Sequence, residues 1–449
     1  MPHLDPSLTK KLHPLRYWIF VVYAVGLPNF VKFDGSGRTH KQGLFNTASI
    51  LSIALTLLTG FLLATMTLLN RHRIMRRKIH VSSALWIVLL LNLAIASFLQ
   101  PASHLTPYKM TDIPLSLYRL GEWVLAFVLL VSLYTREKAE NATDLIIRLI
   151  ASVCWANILI VWVALPVLPS LVYATPGDDT AGGHPRLGGL MIHPGHLSVL
   201  AGVAFFHALI FMRGPKRAAA CSLAFLTLIL TYGRSELGVL LVVLAIYVLV
   251  LSRSALLRWF GLLGGVSLLA VAVALHEKVL KYLERGHGMR TITTLSERTL
   301  VWKASFDAFI ERPYIGYGFI AGPRNAILDH WTSPNWIPPH AHNEFLQALL
   351  SGGILAGVLV SAIYGRACWA AIRGANQGMR QIFLLIVLVQ ITLMAFTMPL
   401  ITIQISRVSA LFLLTFIGVV APEQQRVASK VTEISEPRNR PALEWVRQA

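Results

Sequence analysis

The 449-residue chain is 55% hydrophobic and only 14% charged, where soluble proteins carry about 25% charged residues. Its apolar residues fall in blocks of membrane-spanning length, which excludes a water-soluble enzyme. The net charge of +19, from 40 Lys and Arg against 21 Asp and Glu, reads first as a marker of membrane orientation rather than of nucleic-acid binding, because cytoplasmic loops are enriched in Lys and Arg.

A helix that crosses about 30 Å of hydrocarbon needs about 20 mostly apolar residues. In chain order such spans are predicted near 17–31, 44–69, 80–99, 117–134, 146–170, 192–212, 218–233, 236–252, 256–275, 344–365, 381–398 and 404–421. The first is short, interrupted by Pro28 and Asn29, and reads as a signal anchor. The expected fold is therefore all-α: a polytopic integral membrane protein of about twelve transmembrane helices with one long extracytoplasmic loop. Residues 1–275 hold spans one to nine, 276–343 the long loop, 344–421 spans ten to twelve, and 422–449 a polar cytoplasmic tail.

The basic residues test this layout independently of hydropathy. With the N-terminus inside, the inner segments collect 23 Lys and Arg, including Arg71, Arg73, Arg76, Arg77 and Lys78, whereas the short outer loops hold seven. Both ends are thus expected in the cytoplasm. Eight more basic residues and five of the fifteen histidines lie in the loop 276–343. A loop of that length is usually functional or disordered. Residues 297–312 read as an amphipathic helix with Leu300, Val301, Ala304, Phe306, Ala308 and Phe309 available for packing and Pro313 as its stop, so an ordered cap is expected.

Cys154, Cys221 and Cys368 lack metal or disulfide spacing and read as structural thiols, Cys368 within a short basic connector. Glu122, an acid inside a span, has Arg119 one turn behind it, and an internal ion pair is the simplest account of both. The unusual population is the Arg and His facing outward, in four clusters. They are His184-Pro-Arg186 through His193-Pro-Gly-His196; Thr231-Tyr232-Gly-Arg234-Ser-Glu236; Arg298-x-x-x-Trp302, continuing to Arg312-Pro-Tyr-Ile-Gly316-Tyr-Gly318; and His340-Ala-His342-Asn343-Glu344-Phe-Leu-Gln347. Separated arginines at headgroup level suit a diphosphate, since guanidinium keeps its charge and binds phosphate oxygens in pairs. A neighbouring His is suited to take a proton from an attacking hydroxyl. No acidic D-x-D metal pair lies outside, so the arginines themselves would stabilise the leaving diphosphate.

The run His340-Ala-His342-Asn343-Glu344-Phe-Leu-Gln347 with Gly352 and Gly353 resembles the signature of the O-antigen ligases, which share a superfamily with O-antigen polymerases. Tyr232-Gly-Arg234-Ser235, Arg298-x-x-x-Trp302 and Pro313-Tyr-Ile-Gly316-Tyr-Gly318 are similar to its other landmarks, and the likeness spans roughly 180–360. This chain departs from the pattern in two places: Ala356 stands at the last signature glycine, and Gly233 where Ser is usual. The resemblance implies transfer of polysaccharide from undecaprenyl diphosphate to a lipid A–core oligosaccharide in the bacterial inner membrane. The site would face the periplasm, and transfer would proceed with inversion and without metal or other cofactor. It implies His342 as the base, Arg234 and Arg298 as diphosphate ligands with Arg186 a weaker third, and His340, Asn343, Glu344 and Tyr232 as positioning residues. A polymerase of the same superfamily, or a polysaccharide-lipid transporter, remains the alternative. A transporter would call for midplane charges and two related halves, and neither is evident in the sequence.

Overall fold

The computed structural model describes residues 81–100, 112–134, 139–173, 185–188, 192–252, 254–284, 297–332 and 338–420, with isolated positions 21, 24, 54, 58 and 62. Among the described residues there is helix and no strand. The helices are α1 (Val81–Phe98), α2 (Asp112–Tyr134), α3 (Ala139–Ala164), α4 (Pro169–Tyr173), α5 (Pro194–Phe211), α6 (Gly214–Leu230) and α7 (Arg234–Ile246), which runs into a π-turn at Tyr247–Leu251. They continue with α8 (Ala255–Ala274), α9 (His276–Glu284), α10 (Arg298–Glu311), α11 (Ala321–Asp329), α12 (Glu344–Gly374) and α13 (Met379–Ala395), and α14 covers Arg407–Val420.

Four of these stretches are long and apolar enough to cross a membrane: Thr143–Ala164, Pro194–Phe211, Arg234–Leu251 and Glu344–Gln377, with shorter apolar helices at Ser82–Phe98, Met379–Ala395 and Arg407–Val420. The predicted spans from 80–99 onward each coincide with a helix. The spans near 17–31 and 44–69, and the tail 422–449, lie almost wholly outside the described residues.

Local sequence sets the helix limits. Pro194 and Pro215 stand in the first turns of α5 and α6, where a missing N–H costs nothing. α1, without Gly or Pro inside it, stops just before Pro101. One correction concerns α12, which runs to Gly374 instead of ending near 365. Residues 366–373 carry no helix breaker, so the backbone hydrogen bonds simply continue. Cys368 therefore sits inside a helix and not in a connector, and of the three free thiols only Cys154 is buried.

The core lies along the bundle axis. Trp86 of α1 packs against Trp123 of α2, with ring centroids 5.7 Å apart, and edge-on against Phe416 of α14 at 5.8 Å. Outward-facing Leu91, Ile95, Val163 and Val266 are exposed, as expected of surfaces that meet lipid instead of water. The internal pair forms as expected, with Arg119 Nη1 3.0 Å from the buried Glu122 carboxylate.

Residues 297–332 fold as α10, α11 and the loop that joins them. α10 begins at Arg298 and stops at Glu311, one residue short of the Arg312-Pro313 break. Val301, Ala304 and Ala308 are buried and Phe309 packs beside them. Phe306 differs from expectation: it faces outward, half exposed, because the buried face follows 301, 304, 305 and 308. The loop after α10 docks into a kink in α12 at Gly352 and Gly353. There the Ile354 amide donates to Pro313 O at 2.7 Å, Tyr317 N to Leu350 O at 2.7 Å, and Gly318 N to Ser351 O at 2.9 Å. The loop thus takes over backbone groups that the kink releases.

This explains two glycine motifs at once. Gly353 has φ +68, and a Cβ there would collide with the Tyr314 carbonyl; one on Gly316 (φ +72) would lie 2.6 Å from Leu350 O. Ala356, where the family signature has glycine, is fully buried without difficulty. Gly353→Ala is expected to cost about 2–5 kcal/mol from the left-handed backbone and the overlap together. A thermal unfolding scan of detergent-purified protein checks this. Gly365→Ala, on the same helix with open space around it, should leave the transition unchanged.

Candidate active site

The sequence clusters around His193, Arg234, Arg298 and His342 come together at the starts of α5, α7, α10 and α12, and the start of α14 joins them. At α5 the His193 Nδ1 accepts the Gly195 amide at 3.1 Å, and the His193 and His196 rings lie 5.4 Å apart. At α12 the Asn343 side chain accepts the Phe345 and Leu346 amides at 2.9 and 3.1 Å. His340 Nδ1 accepts the His342 amide at 3.1 Å, with the two rings 4.1 Å apart.

Electrostatic neighbourhoods tie these pieces into one site. His342 faces His340, Arg298 and His193, and Arg298 faces Glu236 of α7. His196 lies within reach of His193, His340 and Arg407. Helix N-termini carry partial positive charge and unpaired N–H groups. Five of them gathered with Arg234, Arg298 and Arg407 make a locale suited to an anion.

Burial first, and then the electrostatic influence of His340, Arg298 and His193, holds the His342 imidazole well below the usual histidine range. His340 is pushed down to about 3, mainly by burial. Arg298 is lowered by burial, partly offset by the Glu236 carboxylate, and stays a cation. His342 also donates a ring N–H to the Thr397 backbone carbonyl. That bond favours one tautomer and leaves the lone pair on the other ring nitrogen.

Backbone strain concentrates here. The non-glycine residues with positive φ among those described are Tyr232, Glu297, Ile320 and His342. Three of the four immediately precede or closely flank a helix that opens onto the site. Such conformations cost of order 1–3 kcal/mol each and persist where surrounding contacts impose them.

The remaining candidate residues support this frame. Arg186 is buried and its Nε donates to Thr231 O at 2.8 Å, pinning the turn that carries Tyr232 and Arg234. Arg234 is the first residue of α7 and half-buried. Glu344 turns away from His342. Its fully buried carboxylate accepts the amides of Leu400, Ile401 (2.8 Å) and Thr402 (3.1 Å) and the Thr402 hydroxyl at 2.7 Å. Gln347 Oε1 accepts the Ala341 amide at 2.9 Å. Glu344 and Gln347 therefore hold the two loops that bear Thr397 and His342.

Sequence reasoning missed Thr397, and Arg407 entered it only as one of the seven basic residues of the short outer loops. Thr397 has no sequence signal, since it acts through its backbone carbonyl. Arg407 was visible as a lone Arg beside an apolar run, and only its neighbours mark it as part of the site. Among the described residues no three His, Cys, Asp or Glu side chains are grouped to hold a metal ion.

Helical throughout its described residues, with a His- and Arg-lined site at its helix starts, the chain is of the multi-pass membrane class. Residues 219–361, about a third of the chain, match the family described as O-Antigen ligase. The matched segment contains Arg234, Arg298, His340, His342 and the Gly352–Gly353 kink. No curated protein matches the chain.

Proposed function

We propose that the protein is an O-antigen ligase, transferring polysaccharide from undecaprenyl diphosphate to a sugar hydroxyl of lipid A–core. The observation that carries this reading is the convergence of His342, its orienting Thr397 carbonyl and Arg298 at a cluster of helix N-termini. In this reading the neutral His342 takes the proton of the acceptor hydroxyl as its oxygen attacks the anomeric carbon. The bond from that carbon to the donor phosphate breaks on the opposite face, which inverts the configuration. The lipid diphosphate leaves against Arg298 and Arg234, stabilised by paired hydrogen bonds without a metal.

Arg186, committed through Nε to Thr231, serves first to place Arg234. Tyr232, His340, Asn343 and Glu344 hold the loops in place. The site would face the periplasm from the inner membrane, with both termini cytoplasmic. Residues 276–343 would be the periplasmic cap between nine preceding and three following spans. Membrane lipids and the two lipid-linked glycans are its partners.

Reconstitution of purified protein with donor and acceptor in vesicles, without any gradient, tests transfer itself; no product there would favour a transporter. A strain lacking the protein separates ligase from polymerase. Long polymer left on the lipid diphosphate is the ligase outcome, and single repeats on lipopolysaccharide the polymerase one.

The pH dependence follows from the direction of the His342 shift. The neutral ring is the active form, and its pKa lies well below 6.5, so transfer should stay flat from pH 8 down through 6.5. The rate should fall only at more acidic pH, where the ring gains its proton. An acid limb centred at or above 6.5 in initial rates would count against His342 as the base.

A further inference from the structure

We infer that the elbow Pro313–Gly318 is a membrane-embedded anchor, with Tyr314 and Ile315 seated among lipid at the hydrocarbon edge of the leaflet on the site's side. The inference requires only that α1 and α12 cross the membrane, and it is independent of the reaction proposed above.

The first observation is where the elbow lies. Arg312 Nη2 reaches Leu99 O at 3.5 Å, at the end of α1. Phe319 N donates to Ser97 Oγ at 2.9 Å, and a Cβ on Gly318 would lie 2.9 Å from Ser97 Cα. On the other side Pro313 O accepts the Ile354 amide of α12. Gly352, at the kink that receives the elbow, abuts Asn92, nearly two turns before the end of α1. The elbow therefore runs alongside the last turns of an apolar helix, at a level where that helix exposes Leu91, Ile95 and Phe98.

The second observation is what the elbow shows to the outside. Tyr314 is 79% exposed and Ile315 42%. Ile354, Leu355 and Val358 of α12 are exposed as well. With Leu91, Ile95 and Phe98 they extend one apolar surface that already belongs to two spans. Tyrosine is favoured at membrane interfaces, where an apolar ring and a polar hydroxyl are both served.

The third observation is the elbow's backbone. Irregular backbone at membrane depth is tolerated only where protein satisfies its polar groups. Gly316 N bonds Arg312 O, Tyr317 N bonds Leu350 O and Gly318 N bonds Ser351 O. Phe319 O accepts the Ser116 hydroxyl at 2.5 Å, and Pro313 has no N–H to satisfy. A loop in water has no need of that many internal partners.

The outward face of α10 is mixed: Phe306 and Ile310 are 50% and 58% exposed, Lys303 pairs with Asp307 at 2.7 Å, and the exposed Glu311 beside the elbow pairs with His330 at 3.2 Å. Arg298 stands at the far end of this helix, about 20 Å long at 1.5 Å per residue. Anchoring the elbow thus fixes the height of Arg298 relative to the membrane.

Nitroxide labels test the arrangement. They are placed at Tyr314→Cys, Ile315→Cys and Ile310→Cys in a Cys154→Ala, Cys221→Ala, Cys368→Ala background. The full chain is reconstituted in phosphatidylethanolamine–phosphatidylglycerol vesicles, with Ile95→Cys and Lys303→Cys as the lipid and water references. Collision with oxygen, which partitions into lipid, is compared with collision with a water-soluble nickel chelate. The expected oxygen-to-nickel ratio at 314 and 315 is several-fold above that at 303 and close to that at 95, with 310 in between. Labels at 314 and 315 that behave like 303 would overturn the inference. Strong spin–spin broadening at 314, relieved by dilution with unlabelled protein, would overturn it too, by putting a second copy of the chain on this surface. Ile310 and Ile315 supply the reading if Tyr314→Cys proves unstable.

Discussion

His342→Ala is expected to abolish transfer while the protein still inserts and keeps its thermal transition. A positioned general base contributes about 10²–10⁴-fold. His340 is its closest neighbour, but its Nδ1 already accepts the His342 amide. Its pKa of about 3 also makes it a poor proton acceptor near neutrality. Structurally the substitution is mild, because His342 lies in a loop before α12, outside any helix. His342→Gln sharpens the test: the amide can still donate to Thr397 yet cannot take a proton, so it should be as inactive as Ala. The readout is the yield of polysaccharide-capped lipopolysaccharide in a null strain, with membrane-fraction abundance measured alongside. Full-length product from either variant would remove His342 from the mechanism.

The second large effect is expected at the arginines. Arg298→Lys and Arg234→Lys keep the positive charge but lose the planar fork that grips two phosphate oxygens together. Each hydrogen bond to a charged group lost is worth about 1.5–3 kcal/mol, so transfer should drop by roughly ten- to a hundredfold. At position 298 the neighbouring Glu236 adds a distinguishing feature. Glu236 is buried and is the carboxylate that faces Arg298. Arg298→Ala leaves that carboxylate without its cation and should lower the thermal transition as well as activity, whereas Arg298→Lys should impair activity alone. Steady-state rates against donor concentration, measured with unfolding scans, separate the two. Normal rates for both Lys variants would mean that the fork is not what binds the donor.

Much of this protein was legible in its sequence because membranes impose simple rules. Hydrocarbon thickness sets the length of an apolar block, so each predicted span from 80–99 onward coincides with a helix. The end of α10 at Pro313 and the Arg119–Glu122 pair were equally readable, since both depend on neighbours within one or two turns. The Arg and His residues that meet at the helix starts were also visible as separate clusters, at 193–196, 234, 298 and 340–342.

What only the tertiary structure decided are relations between residues far apart in the chain. Thr397 meets His342 through a backbone carbonyl, which carries no side-chain signature. Glu344, next but one to His342, instead clamps the amides of Leu400 to Thr402, because the helix start turns its side chain toward the loop after α13. Arg186 pins the Thr231 carbonyl, and Arg407 joins the site from the last helix. Gly352, Gly353 and Gly316 looked like separate motif letters until the Pro313–Gly318 elbow was seen lodged in the α12 kink. Local periodicity and membrane thickness determine which segments are helices, but the packing of those helices determines which of their ends share one site.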